Sequence, residues 1–485
     1  MPIATYTHAA GDAFRSFGDY ASGLVTPTVR LGVTGLARSG KTVFITALVH
    51  NLIAGARLPF FDAAAQGRLL RVYLEPQPDD VVPRFEYETH LADLTGEPPS
   101  WPESTRRISQ LRLTLEYAST RFWKRQLGRE RLHIDIVDYP GEWLLDLPLL
   151  RLDYAEWSRN ALAQSRVASR KKAAKDWHQA LSSADPAASA DEVLAAKLAQ
   201  LFKAYLREAR SDRYALSTLP PGRFLMPGDL EGSPALTFAP LDAGGEADFA
   251  RGTLWAMMAR RYEAYKAHVV RPFFHHHFAR LDRQIVLIDV LAALNGGAEA
   301  VNDLERAMTE ILECFRTGAN SLWSSLFAPR IDRIVLAATK ADHLHQQSHD
   351  RLEAILARLT GRAMARAEYA GAEMKVLAMA AVRATREGEA KRGGETLPCI
   401  IGYPLAGETI GRRTFDGNEE FAIFPGDLPK DPDAALKGWH TEQGEMRFVR
   451  FRPPNPEPLT TGGFAPFPNI RLDRAIETLI GDYLA

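Results

Sequence analysis

The chain contains 485 residues, of which 46% are hydrophobic, and its 59 basic and 60 acidic side chains give a formal net charge of −1 at pH 7. This balance argues against a protein that coats nucleic acid, because such proteins need a strongly basic surface. No stretch reaches the roughly 18 consecutive apolar residues of a membrane span. The two cysteines, Cys314 and Cys399, lack partners at metal-ligand spacing. We therefore expect a cytoplasmic protein with neither a transmembrane segment nor a cysteine-based zinc site.

The predicted elements begin with an N-terminal helical segment over residues 1–28, where aromatic and leucine side chains recur at helical spacing. Beyond it, apolar runs of strand length alternate with helical patterns. The six runs are VRLGVTGL, SQLRLTLEY, RLHIDIVDYPG, QIVLIDVLAAL, RIVLAATKAD and MKVLAMAAV. Short apolar runs separated by helices predict a mostly parallel sheet flanked by helices, and hence an α/β fold.

Two stretches depart from this alternation. Roughly 130 residues separate the third run from the fourth, far more than an ordinary connection contains. Their pattern predicts a helical insertion over residues 146–280, which divides the core into a first part, 29–145, and a second part, 281–392. Glycine, proline and short alternating segments predict a small β-rich segment over residues 393–467. Residues 468–485 then predict a closing helix of the core.

The first strand leads into a loop, Gly35-Leu-Ala-Arg-Ser-Gly-Lys-Thr42, that fits G-x-x-x-x-G-K-[ST], and a helical run follows it. Glycines let such a loop wrap closely, so that successive backbone N–H groups form an anion nest at a helix N-terminus. Lys41 is expected to neutralise phosphate oxygens, and the Thr42 hydroxyl is expected to ligate Mg²⁺. The residues predicted to bind the phosphates are Gly35, Ala37, Arg38, Ser39, Gly40, Lys41, Thr42 and Val43.

The third run ends in Asp138-Tyr-Pro-Gly141. A carboxylate at the tip of a buried strand can hold Mg²⁺ through water, and a glycine three residues later can offer its N–H to the γ-phosphate. Asp289, at the end of the fourth run, is a rival, but no glycine follows it at that spacing. We predict Asp138 as the metal residue, Gly141 as a phosphate contact, and Asp289 as a strand-end aspartate without a ligand role.

The fifth run continues into Thr339-Lys-Ala-Asp342, which fits the pattern [NT]KxD. The aspartate of that pattern accepts hydrogen bonds from the N1–H and 2-amino groups of guanine, while the lysine stem lies over the base. Adenine offers neither donor in that geometry and would leave a buried carboxylate unpaired. The sixth run ends in small residues, one of whose backbone N–H groups can meet the guanine oxygen. The predicted guanine-binding residues are Thr339, Lys340, Asp342, Ala380, Ala381 and Val382.

A threonine between the first helix and the second run commonly completes the Mg²⁺ shell when the γ-phosphate is present. Thr105, in the segment WPESTRR, is the residue that we predict for this role. Ser104 and Thr95 are alternatives, and a role for Thr105 as a helix or strand cap is equally open. The predicted metal ligands are therefore Thr42, Thr105 and Asp138.

Taken together, GLARSGKT, WPEST, DYPGEW, LIDVLAALNGG and TKAD, with a helical insertion after DYPG, resemble the YcjX-like family of P-loop GTPases along the whole chain. That family is similar to dynamin-like and Ras-like GTP-binding domains and is associated with the bacterial stress response. The resemblance implies a P-loop GTPase domain that binds GTP and GDP with Mg²⁺ and hydrolyses GTP slowly.

Two positions depart from the small GTPases. Glu142 follows the glycine of D-x-x-G, where many carry a glutamine that orients the attacking water. A carboxylate there can position water or act as a base, but it also repels the γ-phosphate. Arg38 either acts on the phosphates in cis or points away to a carboxylate or to solvent, and Arg106 and Arg107 are further candidates. The predicted catalytic residues are Lys41, Thr105, Gly141, Glu142 and Arg38.

The motifs predict a nucleotide-dependent regulatory switch. The stretch after D-x-x-G moves between nucleotide states in such proteins, so the insertion is well placed to report the state to an unidentified protein partner. That partner can also attach the protein peripherally to the inner membrane. A nucleotide-stabilised scaffold with incidental turnover is one alternative, and an ATPase, against which TKAD argues, is another. No nucleic-acid partner is expected.

Overall fold

The computed structural model describes residues 26–36, 38–103, 107–120, 129–209, 220–225, 227, 232–245, 249–314, 331–369, 371–392, 395–437, 448–460 and 462–485. The predicted N-terminal segment therefore lies almost wholly outside the described residues. Four residues named above also lie outside them, namely Ala37, Ser104, Thr105 and Arg106.

A seven-stranded sheet forms the centre of the molecule. Its strands are β1 (Thr28–Gly35), β2 (Leu69–Glu75), β3 (Ser109–Tyr117), β4 (Glu130–Asp138), β5 (Arg283–Ile288), β6 (Arg333–Ala338) and β7 (Glu373–Ala378). Their order is β2-β3-β4-β1-β5-β6-β7. The pairs β2–β3 and β3–β4 are antiparallel, whereas all other neighbours in this sheet are parallel. Because parallel strands share one direction, the ends of β1, β4, β5, β6 and β7 meet at one edge, where the site lies.

The edge strand β2 is the one strand of this sheet that the sequence analysis did not predict. Its residues, LLRVYLE, are all exposed or half-buried, and its one neighbouring strand is β3. Five of its seven residues are apolar, against four of nine in β3, so the apolar run was present in the sequence and was overlooked.

Helices lie on both faces of the sheet. They are α1 (Lys41–Ile53), α2 (Asp62–Ala65), α3 (Tyr87–Thr95), α4 (Tyr154–Ser165), α5 (Ala168–Lys171), α6 (Lys175–Leu181), α7 (Glu192–Ala209), α8 (Leu254–Tyr265), α9 (Arg271–His276), α10 (Val290–Asn295), α11 (Ala298–Cys314), α12 (His349–Tyr369), α13 (Pro432–Leu436) and α14 (Leu472–Ile480). A 3₁₀ helix, Gly141–Arg151, follows β4, and a π-helical turn, Lys266–Val270, joins α8 to α9. Of the helices described, none is long and apolar enough to cross a bilayer.

The two faces of the sheet carry separate hydrophobic cores, because side chains alternate along each strand. In β5, Ile285 and Leu287 belong to the core that includes α1 and α14. Val286 and Ile288 belong to the core that includes α11, α12 and the insertion. Burial of each such side chain stabilises the fold by about 1.5–3 kcal/mol. The predicted α/β P-loop fold, with its mostly parallel sheet flanked by helices, is confirmed.

The helical insertion contains α4 to α9, and its centre is aromatic. Trp157 stacks on Tyr262 with ring centroids 5.0 Å apart, and it meets Phe202 and Phe238 edge-on at 5.9 and 5.3 Å. These rings belong to the same hydrophobic core as β5 and α11. The insertion is therefore packed onto the sheet as part of one body.

A β-rich unit precedes the last helix. Its strands are β8 (Arg386–Arg392), β9 (Glu395–Gly402), β10 (Thr409–Ile410), β11 (Arg413–Thr414) and β12 (Phe421–Ile423). β12, β9 and β8 form an antiparallel sheet, and β10 and β11 form a hairpin. The unit starts at Arg386, seven residues before the predicted boundary at 393. Its core contains Ile400, Phe415, Ile423, Val449 and Phe451.

Candidate nucleotide-binding site

The predicted phosphate loop connects β1 to α1. Two of its residues have left-handed backbone conformations, Arg38 with φ 63° and Gly40 with φ 85°. The Ser39 N–H donates to the Leu36 carbonyl at 3.1 Å, and the Phe44 N–H donates to the Gly40 carbonyl at 2.8 Å. Left-handed residues between right-handed ones are the conformation that turns successive N–H groups toward an anion. The loop therefore has the backbone form of an anion nest at the start of α1.

The two glycines of the loop serve different purposes. A Cβ at Gly35 would lie 2.1 Å from the Ser39 hydroxyl and 2.7 Å from the Leu287 carbonyl, so only glycine fits there. At Gly40 there is open space around the added Cβ, and the positive φ is what favours glycine. Close approach thus explains the first glycine, and backbone conformation explains the second.

The side chains at the start of α1 differ in exposure. Lys41 is half-buried and Thr42 is buried, while Arg38 is exposed. The Thr42 hydroxyl donates a long hydrogen bond, 3.4 Å, to the Glu103 carbonyl. Glu103, which precedes the predicted switch threonine by two positions in the sequence, thus lies next to Thr42.

The parallel pairing of β4 with β1 places Asp138 opposite Val33, at the edge where the phosphate loop begins. The Asp138 carboxylate is buried, with 1% of the residue exposed. Gly141 packs directly on the loop, because a Cβ there would lie 1.7 Å from the Gly35 carbonyl oxygen. The structure thus brings Asp138 and Gly141 to the phosphate loop.

The residues after Gly141 are tied to the insertion, which the sequence analysis did not foresee. Glu142 is 7% exposed, and its carbonyl oxygen would lie 1.9 Å from a Cβ at Gly222. Asp146 accepts hydrogen bonds from the Gly222 N–H at 2.7 Å, the Arg223 N–H at 3.2 Å and the Tyr265 hydroxyl at 2.6 Å. Burial raises the pKa of Asp146 to about 6, although these three donors oppose the rise.

The T-K-A-D segment follows β6 at the same edge of the sheet. The Thr339 N–H donates to the Ile288 carbonyl at 2.9 Å. Lys340 adopts a left-handed conformation, φ 61°, and its ammonium pairs with Asp289. Asp289 also accepts a hydrogen bond from the Ala292 N–H at 3.0 Å and so caps α10. Asp289 is therefore a partner of the motif lysine, a role that we did not assign from the sequence.

Asp342 is 4% exposed and is held from two sides. The Ala384 N–H donates to its carboxylate at 2.9 Å, and the Thr385 hydroxyl donates to its carbonyl at 2.5 Å. A carboxylate can accept about four hydrogen bonds, so capacity for further donors remains. The Ala384 N–H thus orients the carboxylate, and the Thr385 hydroxyl holds the main chain of the same residue.

The residues at the end of the sixth run, Ala380 to Val382, lie beside this segment. The Ala380 N–H donates to the Ile470 carbonyl at 3.1 Å, and the Ile470 N–H donates back at 2.8 Å. Ala381 is half-buried and Val382 is buried. Since the Ala380 N–H is already used, Ala381 is the better placed of the three to meet a base.

The alternatives near Thr105 have other partners in the part that is described. The Thr95 hydroxyl donates to the Leu91 carbonyl at 2.8 Å within α3. Arg107 pairs with Glu86 at the surface, at 3.4 Å. Thr105, Ser104 and Arg106 themselves remain predictions, because they lie outside the described residues.

The donor set at the sheet edge suits Mg²⁺. A buried hydroxyl from Thr42 and a buried carboxylate from Asp138 are hard oxygen ligands, and this ion takes few protein ligands beside water and phosphate oxygens. Among the described residues there is no group of three or more His, Cys, Asp or Glu side chains that could hold a metal ion. A site of the P-loop type needs no such group.

Comparison with known proteins shows the family to which the chain is related. The model of the YcjX-like family, DUF463, matches residues 29–484. The chain is 40% identical over 468 residues to the Ras-like GTPase YcjX of Escherichia coli (strain K12), covering 94% of this chain and 96% of that protein. It is 34% identical over 481 residues to the Ras-like GTPase YcjX of Shewanella oneidensis, covering 94% of each. The resemblance predicted from the motifs is confirmed, and the chain belongs to the YcjX-like family.

Proposed function

We propose that this protein is a GTPase that binds GTP and GDP with Mg²⁺ and hydrolyses GTP slowly. The observation that carries the proposal is the meeting, at one sheet edge, of a glycine-rich anion nest, the buried Asp138 and the buried, pre-oriented Asp342. The names of the two relatives support it further. Lys41 and the loop N–H groups, from Gly35 to Val43, would hold the phosphates.

The base would lie at the T-K-A-D segment. Asp342 would accept the two guanine donors, the Lys340 stem would cover the base, and the Ala381 N–H would meet the guanine oxygen. The ion pair with Asp289 would fix the direction of the lysine side chain. Thr42, Thr105 and Asp138 would hold Mg²⁺, which supplies charge neutralisation at the phosphates.

Binding of GTP, GDP and ATP to wild type and to Asp342→Asn tests the specificity. Wild type should prefer guanine, and the variant should lose that preference while gaining affinity for XTP. Xanthine carries a carbonyl where guanine carries its 2-amino group, and the asparagine amide can donate where aspartate only accepts. Equal binding of ATP and GTP by wild type, unchanged by the substitution, would favour the ATPase alternative.

Slow hydrolysis follows from Glu142. Its carboxylate stands where many small GTPases carry glutamine, and its burial strengthens the repulsion between that charge and the γ-phosphate. We place Lys41 and Gly141 on the phosphates, and we assign Arg38 a minor role because its side chain is exposed. Single-turnover hydrolysis by Arg38→Ala should therefore stay near the wild-type rate, and a large loss would identify it as a finger acting in cis.

The nucleotide state would be reported through the insertion. The contact of Gly222 with Glu142 and the hydrogen bonds of Asp146 connect it to the segment that follows Gly141. Limited proteolysis of the insertion should therefore differ between the GDP form and a form with a non-hydrolysable GTP analogue. Identical cleavage patterns would favour the nucleotide-stabilised scaffold.

We further propose a cytoplasmic location, a protein partner that can attach the chain peripherally to the inner membrane, and a task in the bacterial stress response. These proposals rest on the family resemblance. Cell fractionation tests the location. Complementation of a deletion strain under heat stress by wild type but not by Lys41→Ala tests the task.

A further inference from the structure

A small hydrophobic cluster lies where five parts of the chain meet at the candidate site. Its buried members are Ala47, Leu94, Val382 and Phe467, and Val43, Leu91, Trp101 and Ala381 pack against them. Val43 and Ala47 lie in α1, and Leu91 and Leu94 lie in α3. Trp101 precedes the predicted switch threonine, Ala381 and Val382 follow β7, and Phe467 lies in the chain that leads to α14. One cluster thus supports both ends of the proposed nucleotide.

The returning chain, residues 462–471, is hydrogen-bonded to α1 and to the residues that follow β7. Asn51 in α1 donates to the Phe467 carbonyl at 3.1 Å and accepts from the Phe467 N–H at 2.7 Å. His50 contacts the Ala465 carbonyl at 3.0 Å. On the guanine side, Ile470 exchanges two hydrogen bonds with Ala380. The returning chain therefore fixes the distance between α1 and the end of β7.

The β-rich unit makes the corresponding contacts through Phe451. The side chain of Phe451 is 1% exposed and belongs to the core of that unit. Its ring meets the ring of His343, the neighbour of Asp342, edge-on at 5.5 Å. Its carbonyl accepts a hydrogen bond of 2.6 Å from the indole N–H of Trp101. One residue of the β-rich unit thus contacts both His343, next to the T-K-A-D segment, and Trp101, which precedes Thr105 in the sequence.

We propose that the β-rich unit is an internal clamp that sets how long a guanine nucleotide stays bound, with Trp101 as its positioning residue. The proposal rests on the proposed function, since it concerns release from that site. A nucleotide leaves when the segment 101–103 separates from the T-K-A-D segment, residues 339–342, and from its neighbour His343. The bond from Trp101 to Phe451 holds these parts together, and the bond from Thr42 to Glu103 joins the same segment to α1. Opening the site breaks the first of these bonds.

The test compares Trp101→Phe with wild type. Phenylalanine keeps an aromatic ring in the cluster but removes the N–H donor. A single neutral hydrogen bond should change the rate by about threefold to tenfold. Release of a fluorescent GDP analogue into excess GDP should accelerate by that factor, while the preference for guanine over adenine stays unchanged. Trp255→Phe, at a tryptophan of the insertion that stacks on Phe249, is the matched control and should release at the wild-type rate.

Equal release rates for wild type and Trp101→Phe, with equal melting temperatures, would overturn the clamp and leave the proposed function standing. Failure of wild type to bind GDP would instead refute the proposed function. If the variant does not fold, hydrogen–deuterium exchange of wild type decides. Peptides covering residues 395–405 and 448–452 should become more protected when GDP is added, and unchanged exchange there would overturn the proposal.

Discussion

Replacement of Asp146 by asparagine tests the connection between the segment after Gly141 and the insertion. The carboxylate is 2% exposed, and burial raises its pKa from the ordinary 3.8 to about 6. Such a rise means that ionisation is about 3 kcal/mol less favourable in the folded chain than in the unfolded one. Asparagine has the same shape but does not ionise, so it removes this dependence on pH.

The sign follows from proton binding. Because the pKa is higher in the folded state, the folded chain holds the extra proton between about pH 4 and 6. The contribution of this group to the free energy of unfolding is therefore fully present below the unfolded pKa and is lost as the pH rises through about 6. Between pH 4.5 and 7, the stability of wild type relative to Asp146→Asn should fall by about 2 kcal/mol.

Urea unfolding across that pH range measures the difference. Asp242→Asn is the control, because this exposed carboxylate of the same insertion has its pKa lowered by the hydrogen bond from Arg166. Its contribution is present above the unfolded pKa and is lost only at lower pH, so its difference from wild type should stay nearly constant. If the difference for Asp146→Asn were equally flat, Asp146 would not be a buried carboxylate in the folded protein.

Substitutions at three positions address the site itself. Gly141→Ala should abolish nucleotide binding by displacing the phosphate loop, and tight binding by this variant would contradict the packing. The control, Gly361→Ala, at an uncrowded position within α12, should raise the free energy of unfolding by about 0.5–1 kcal/mol. Asp289→Ala and Asp289→Ser should both weaken GDP binding about threefold, because loss of the ion pair releases Lys340. Only the alanine variant should have a lower melting temperature, since serine can still cap α10. Glu142→Gln should speed single-turnover GTP hydrolysis by removing a charge; a loss of about a hundredfold or more would instead make this residue a general base.

The inner strands and the motifs could be predicted because their signals are local. β5 and β6 are continuous apolar runs, and the phosphate loop occupies eight consecutive residues between a strand and a helix. β2 is also apolar at five of its seven positions, but Arg71 interrupts the run and the strand was overlooked. The edge position is not itself the obstacle, since β7 lies at the opposite edge and was predicted.

The partners of the site residues could not be predicted, because they depend on pairs that are distant in the chain. Asp146 and Gly222 are 76 residues apart, and Trp101 and Phe451 are 350 apart. Asp289 was assigned no ligand role from its position at a strand end, and its ion pair with Lys340 appears only when β5 and β6 lie side by side. Only the folded sheet brings these groups together.

Backbone packs directly against backbone at two successive residues, Gly141 and Glu142. The first contact joins the phosphate loop to the segment after Asp138, and the second joins that segment to the insertion. Gly141 lies against the Gly35 carbonyl, and the carbonyl of the next residue, Glu142, lies against Gly222. Glycine has no side chain that could change rotamer and absorb a shift, and close-packed backbone transmits strain. A γ-phosphate that draws the Gly141 N–H toward itself must therefore move the Glu142 carbonyl, and with it Gly222. Asp146 also binds the Gly222 and Arg223 N–H groups. The insertion should therefore follow that movement as a rigid attachment rather than as an independent lobe.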